Sequence, residues 1–235
     1  MYARNQTTIL NEVSFFGKPK NMERVVNVKL LPAGVDSGIV FKRTDLKENN
    51  TIRVSYENSF IENDKLVLKN SSGVYIHYAE ILIASIWASR IDNVIVEIDG
   101  DSLPFIDGTS ESIIFLLTIA RTKELEKIRK VIELEQDIGM RVDNAEISIK
   151  PNKSFVVEIT EQEKSFKFDN GDYPYKDWLS RISEDSEEKL KYYVVATIAI
   201  IFLSGYFITA EVDIKNFNKK TTYNFFKNFF ANKTK

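Results

Sequence analysis

The chain has 235 residues, a formal net charge of −2 and 43% hydrophobic residues, a composition typical of a soluble globular protein with one or two domains. A charge so close to zero gives no electrostatic basis for binding nucleic acid or an anionic membrane surface. Because the chain contains no cysteine, disulfides and thiol catalysis are excluded, and we expect a reducing, cytoplasmic location. The first ten residues lack the apolar core of a secretory signal, so none is expected.

Short runs of β-branched and apolar residues predict strands in the first third of the chain. The predicted strands cover residues 7–16, 24–31 and 39–42, with two weaker ones at 52–56 and 65–68. Asn27 and Lys29 alternate with apolar neighbours, which is typical of a half-buried strand. Turns are predicted at residues 17–20 and 34–37 from their glycine, proline and serine content.

The stretch from residue 73 to residue 117 organises the rest of the chain. It predicts a strand at 74–77, an apolar helix at 78–89, a turn at 90–93, a strand at 94–98 and a second helix near Ser110. Glu80 is the one charged residue of the apolar helix and lies in its first turn, where the helix dipole alone would favour it by about 0.3–1 kcal/mol. The string DGTS at 107–110 is a good helix start, and contact with a ligand is the alternative interpretation.

The second half of the chain is predicted to form another unit, with domains at 1–127 and 128–235. A charged, solvated segment at 118–128 would end the first domain, and strands follow at 131–134, 140–142, 145–150 and 155–160. A short helix is predicted at 175–183. The uncharged residues 192–210 are long enough for a membrane span, but Gly205 and the strand-like residues after it favour a buried helix followed by a strand, so no transmembrane span is expected. Residues 223–230 predict an amphipathic helix that covers the sheet, or alternatively docks a partner.

Four strings in a fixed order carry a resemblance to a known family. They are RTDL at 43–46, AEIL at 79–82, IDNVIVEI at 91–98 and LPFIDGTS at 103–110. In this order they resemble the UDP-3-O-acyl-N-acetylglucosamine deacetylases, the bacterial zinc enzymes of lipid A synthesis. The resemblance implies an α+β fold with two similar domains, each a β-sheet with two helices packed on it, and with the helices of the two domains facing each other.

The resemblance also implies the positions of a zinc site, and this chain departs from them. Glu80 occupies the position of the general base, but Ile81 follows it where the family has a zinc-ligating histidine. The family's other two ligand positions fall on Tyr192 and Ala196. A further catalytic histidine would fall between Lys215 and Lys219, where the chain has none. We therefore expect Glu80 to be a vestigial base, and we expect no zinc cofactor.

Composition leads to the same expectation without an alignment. His77 is the single histidine, and catalytic zinc sites usually take three protein ligands in which histidine or cysteine is prominent. A site built from His77, Glu80 and an aspartate remains an alternative, although His77 is more simply a strand-end residue. The predicted function is a catalytically inactive homologue that binds an acyl-sugar nucleotide or a protein partner. The alternatives are an active deacetylase with an atypical metal site and a structural subunit of a larger assembly.

Overall fold

The computed structural model describes residues 5–62, 65–104, 111–129, 131–133, 136–142, 145–152, 156–161, 164–169, 207–215, 222–224 and 227. The chain divides into two compact units, Met1–Arg129 and Lys130–Lys235. Among the described residues, sheets dominate both units and two longer helices accompany those of the first, so the predicted α+β class is confirmed.

The described part of the first unit contains ten strands, two α-helices and one short 3-10 helix, Tyr56–Asn58. Its strands are β1 (Asn5–Ile9), β2 (Val13–Gly17), β3 (Val26–Pro32), β4 (Ile39–Arg43), β5 (Thr51–Arg53), β6 (Ser59–Glu62), β7 (Lys65–Lys69), β8 (Tyr75–His77), β9 (Val94–Ile98) and β10 (Thr122–Ile128). Its helices are α1 (Glu80–Ala88) and α2 (Glu111–Ala120).

A five-stranded sheet in the order β2-β3-β9-β4-β5 forms the centre of this unit. Strands β4 and β9 run parallel, and the other neighbours are antiparallel. The alternation predicted for β3 is confirmed, because Val26, Val28 and Leu30 are buried while Asn27 is exposed. Phe41 of β4 is fully buried, as is Ile52 of β5, which places the core on one face of this sheet.

Two smaller sheets accompany the central one, in the order β6-β7-β8 and as the pair β1-β10. The single strand predicted at 7–16 is wrong, since it divides into β1 and β2. The break occurs where the Leu10 and Asn11 amides donate to the carbonyls of Arg121 and Ala120 instead of continuing the strand. The solvated segment predicted at 118–128 is largely exposed as expected, but the strand within it was not predicted. Its side chains are largely exposed, but its backbone forms the end of α2 and the strand β10, which pairs antiparallel with β1.

The apolar helix and the strand after it are confirmed, the helix with slightly narrower bounds than predicted. Helix α1 buries seven consecutive residues from Glu80 to Ile86, as a helix that is apolar on all faces requires. It contacts α2, and α2 contacts β2. Helix α2 begins at Glu111, next to the predicted start, while the DGTS string at 107–110 lies outside the described residues.

The described part of the second unit is a six-stranded sheet in the order β12-β13-β16-β14-β15, with β11 also paired to β16. Its strands are β11 (Val131–Glu133), β12 (Ile138–Val142), β13 (Ala145–Pro151), β14 (Val156–Glu161), β15 (Lys164–Asp169) and β16 (Phe207–Lys215). Strand β16 confirms the strand predicted after Gly205, and it is central because β13 and β14 both pair with it. Strand β15 was not predicted.

Most of the residues predicted as helices in the second half lie outside the described part of the chain. The predicted helices at 175–183 and from 192 onward, with Tyr192 and Ala196, lie outside the described residues. Residues 222–224 and 227 are helical, in agreement with the helix predicted at 223–230. Burial raises the pKa of the Tyr223 hydroxyl, and the Lys227 ammonium lies 5.8 Å from the Tyr223 ring. Among the described helices, none has the length and apolar character that a membrane crossing needs.

Candidate functional site

The site implied by the sequence lies where β8 ends and α1 begins. Tyr78 adopts a left-handed backbone conformation, with φ of 61°, which turns the chain from the strand into the helix. The segment is fixed from one side, because the His77 amide donates to the Asp101 carbonyl at 2.8 Å and the Leu103 amide donates to the His77 carbonyl at 3.0 Å. The strand end and the helix start therefore have a defined geometry relative to the chain that follows β9.

Glu80 and Ile81 are both buried at the start of α1. Glu80 is 2% exposed and Ile81 is 9% exposed. The carbonyl of Ile81 accepts a hydrogen bond from the Ser85 hydroxyl at 2.7 Å, and its side chain offers a metal nothing but hydrocarbon. Within the part of the chain that the structure describes, no three histidine, cysteine, aspartate or glutamate side chains are grouped so that they could hold a metal ion. Ile81 therefore adds no donor for a zinc ion at the start of α1.

His77 lies in an aromatic cluster on the same segment. Its ring centroid is 5.0 Å from that of Tyr75 and 6.2 Å from that of Tyr78, both in tilted arrangements. The Tyr75 hydroxyl donates to Asp101 Oδ2 at 3.4 Å. The structure thus places His77 at the end of β8 beside two tyrosines, as the strand-end interpretation expects.

The RTDL string forms an ion pair behind this segment, between the buried Arg43 and the more exposed Asp45. Arg43 Nε and Nη2 donate to the two carboxylate oxygens of Asp45 at 2.8 and 2.7 Å, and Nη1 donates to the Tyr75 carbonyl at 3.0 Å. The hydrogen bond from Arg43 lowers the pKa of Asp45 despite the opposing effect of burial. The same bond raises the pKa of Arg43, whose side chain is 10% exposed. All of these bonds are internal to the fold.

The IDNV string forms a second polar junction, at the turn before β9. Asn93 is 1% exposed; its Oδ1 accepts from the Gly38 amide at 2.9 Å, and its Nδ2 donates to Gln6 Oε1 at 3.0 Å. Asp92 Oδ2 accepts from the Thr7 amide at 2.6 Å and from Arg129 Nε at 2.9 Å. The string therefore joins β1, the turn before β4 and the end of the first unit.

Sequence reasoning missed the residues that complete this junction. Gln6, Thr7 and Arg129 are 37 to 87 positions away from Asp92 and Asn93 along the chain. No local pattern indicates partners at such separations, and the exposed, charged strand β10, which carries the chain to Arg129, has no alternation that would have identified it. Of the implied site positions, Tyr192, Ala196 and Lys219 lie outside the described residues, and Lys215 ends β16 of the second unit.

A family model for UDP-3-O-acyl N-acetylglycosamine deacetylase matches residues 6–177, which is most of the chain. The chain belongs to this family. Three relatives named UDP-3-O-acyl-N-acetylglucosamine deacetylase illustrate the similarity. The protein from Aliarcobacter butzleri is 29% identical over 75% of this chain and 60% of its own length. The protein from Shewanella denitrificans is 31% identical over 66% of this chain and 50% of its own length. The protein from Syntrophus aciditrophicus is 26% identical over 78% of this chain and 56% of its own length.

The chain therefore spans between half and three fifths of the length of these relatives. The stretch that matches the deacetylase family ends at residue 177, before Tyr192 and Ala196. Within the matched stretch, Arg43 of the RTDL string and Asn93 of the IDNV string are buried, and both form hydrogen bonds within the first unit. The start of α1 keeps Glu80 and has isoleucine after it.

Proposed function

We propose that this chain is a catalytically inactive member of the deacetylase family, which acts in the cytoplasm by binding a ligand or a protein partner. The observation that carries the proposal is Ile81, a buried hydrocarbon side chain at the position that the resemblance assigns to a zinc ligand. Tyr192 and Ala196 at the other two implied positions support it, because alanine has no donor atom and a neutral phenol is a poor one. Glu80 is then a vestigial base.

Magnitudes support the loss of activity. A zinc ion lowers the pKa of a bound water from its very high free value to about 7, which corresponds to about 12 kcal/mol of nucleophile activation. A positioned carboxylate that acts as a general base contributes about 10²- to 10⁴-fold in rate, or some 3–5 kcal/mol, which is roughly a third of that amount. Glu80 without the ion would leave most of the barrier to amide hydrolysis in place.

The name of the relatives supplies the first ligand to test, a UDP-linked acyl sugar. A chain that keeps the fold but not the metal would bind such a molecule without hydrolysing it, and would act as a regulatory subunit or a scaffold. Stabilisation of the protein by the intact acyl-sugar nucleotide would support this role. A pull-down with the tagged chain from its native cells would then identify a protein partner, including an active deacetylase.

An active deacetylase with an atypical metal site is the second candidate. It is favoured by the names of the relatives and by the retained Glu80, with His77 three residues before it. In this reading, His77 and Glu80 would contribute ligands together with an aspartate. The described residues supply no such group of three, so this candidate depends on the parts of the chain that the structure does not describe.

Metal analysis combined with an activity assay separates the two candidates. The purified chain is expected to contain substoichiometric zinc and to release no acetate from UDP-3-O-acyl-N-acetylglucosamine with or without added zinc. Glu80→Gln is expected to leave the background level of acetate release unchanged. His77→Gln is the matched control, at the other side chain that the atypical metal site would use. Stoichiometric zinc, together with a turnover that Glu80→Gln abolishes, would overturn the proposal.

A further inference from the structure

The Arg43 side chain links the central sheet to the segment that leads into α1. Its backbone is part of β4, where its amide donates to the Asn50 carbonyl at 2.8 Å and Arg43 lies opposite Ile98 of β9. Its guanidinium is held by both oxygens of Asp45, at 2.8 and 2.7 Å. Because a two-point bond between guanidinium and carboxylate fixes the plane of both groups, the third bond of Arg43 has a defined direction.

That third bond ends on β8. One edge of β8 pairs antiparallel with β7. On the other edge, the described residues provide a one-residue bridge between His77 and Ser102, and the bond from Arg43 Nη1 to the Tyr75 carbonyl at 3.0 Å. Arg43 thus occupies the place that a neighbouring strand would take at Tyr75. The chain from Tyr75 to α1 is short, and it passes through the left-handed Tyr78.

We propose that the Arg43–Asp45 pair is a positioning device, which holds β8 through the Tyr75 carbonyl and so sets the start of α1, with Glu80 and residue 81. The guanidinium acts through the backbone and touches no reacting group. This inference does not rest on the proposed function, because the start of α1 would be set in the same way whether the chain binds a ligand, a partner or a metal ion. The lowered pKa of Asp45 is consistent with a strong bond to Arg43.

The single histidine makes the inference directly measurable. His77 gives one pair of imidazole signals in an NMR spectrum, and it lies two residues after Tyr75. The amides of His77 and Ile83 report on β8 and on the first turn of α1, since they donate to the carbonyls of Asp101 and Ala79. The amide of Val94, which donates to the Gly38 carbonyl, reports on the central sheet as an internal reference.

The main variant is the double substitution Arg43→Met with Asp45→Asn. It removes the bond to Tyr75 without leaving a buried charge uncompensated, so it separates positioning from overall stability. The expected result is a shifted His77 signal at constant pH and exchange of the His77 and Ile83 amides that is faster by about tenfold or more, with the Val94 amide changed much less. Arg43→Lys keeps the positive charge but lacks the planar guanidinium that binds Asp45 at two points. It is expected to give the same pattern to a smaller extent.

Lys42→Ala is the matched control, since Lys42 is adjacent and its bond to Glu97 at 2.9 Å lies on the exposed side of the sheet. It is expected to leave the His77 signal and the relative exchange rates unchanged. The proposal is overturned if the double variant keeps the parent His77 signal, or if the three reporter amides accelerate by the same factor. Either result would mean that the pair contributes only general stability.

Discussion

The turn before β9 and the start of α1 are built alike and differ in what their polar side chains contact. Each follows a residue with a left-handed backbone, Arg90 with φ of 59° and Tyr78 with φ of 61°. Each carries a buried polar side chain, Asn93 at 1% and Glu80 at 2% exposure. Asn93 binds segments that are distant in the sequence, and the family string around it is intact. Glu80 is followed by the buried hydrocarbon of Ile81, at a position to which the resemblance assigns a zinc-ligating histidine.

This difference suggests which parts of a family signature a chain can lose. Replacing a residue of the turn before β9 removes hydrogen bonds on which three segments of the first unit depend. A hydrocarbon at residue 81 is compatible with a helix that is buried on all faces. We therefore expect the fold to depend more on Asn93 than on the identity of residue 81.

Asn93→Ala should have the largest effect and would test the first half of this comparison. It removes the acceptor of the Gly38 amide and a donor to Gln6 in a fully buried place, so the free energy of unfolding should fall by about 3–4 kcal/mol. Urea denaturation measures it. Asn27→Ala is the control, because the exposed Asn27 amide bonds to Asp99 and its loss should cost less than about 1 kcal/mol. Equal losses would mean that the turn before β9 is not a special junction.

Ile81→His should have the next largest effect and tests the second half. Burying an imidazole where a hydrocarbon packs should lower the free energy of unfolding by about 2–3 kcal/mol. Excess zinc should not restore the melting temperature, since one new ligand does not complete a site. Ile81→Asn is the matched control without a strong zinc donor. A zinc-dependent stabilisation of the histidine variant, absent from the control, would show that the remaining ligands are present after all.

The contrast between local patterns and contacts of distant segments also explains how much of the structure could be predicted from the sequence. Helix α1 and strand β9 could be predicted almost residue by residue, because their apolar patterns are local and uninterrupted. Strand β10 could not, because its exposed charged residues resemble a solvated segment, and only its pairing with β1 makes it a strand. At the site, the sequence itself shows that a carboxylate at Glu80 is followed by a hydrocarbon at Ile81. The links from Asn93 to Gln6 and from Arg43 to Tyr75 depend on pairing between distant segments.

Asp45→Asn should have a moderate, pH-dependent effect, in the RTDL string that contacts β8 through Arg43. The pKa of Asp45 is lowered in the folded chain, chiefly by the bond from Arg43. Its contribution is therefore complete at pH values above the unfolded pKa of about 4, and it is lost as the pH falls through the lower folded value. At neutral pH the variant should lose about 2 kcal/mol, and the difference from the parent should vanish in acid.

Urea midpoints measured from neutral pH to about pH 2.5 test this pH dependence in the range where carboxylates titrate. Glu97→Gln is the control, because the pair between Lys42 and Glu97 is more exposed and should contribute less than about 1 kcal/mol at any pH. A difference between parent and Asp45→Asn that persists undiminished in acid would mean that Asp45 acts through packing and not through its charge.

Arg90→Gly should have the smallest effect. It tests whether the left-handed backbone at Arg90 lowers the stability of the fold. A left-handed backbone costs a residue with a side chain about 1–2 kcal/mol, and glycine removes that cost while adding about 0.5–1 kcal/mol of unfolded-chain entropy. The backbone carbonyl of Arg90, which accepts from Arg129 Nη2 at 2.9 Å, remains in the variant. The free energy of unfolding should therefore rise by about 0.5 kcal/mol, measurable as a higher melting temperature. A loss larger than about 1 kcal/mol would assign the Arg90 side chain a part in the junction beyond its backbone.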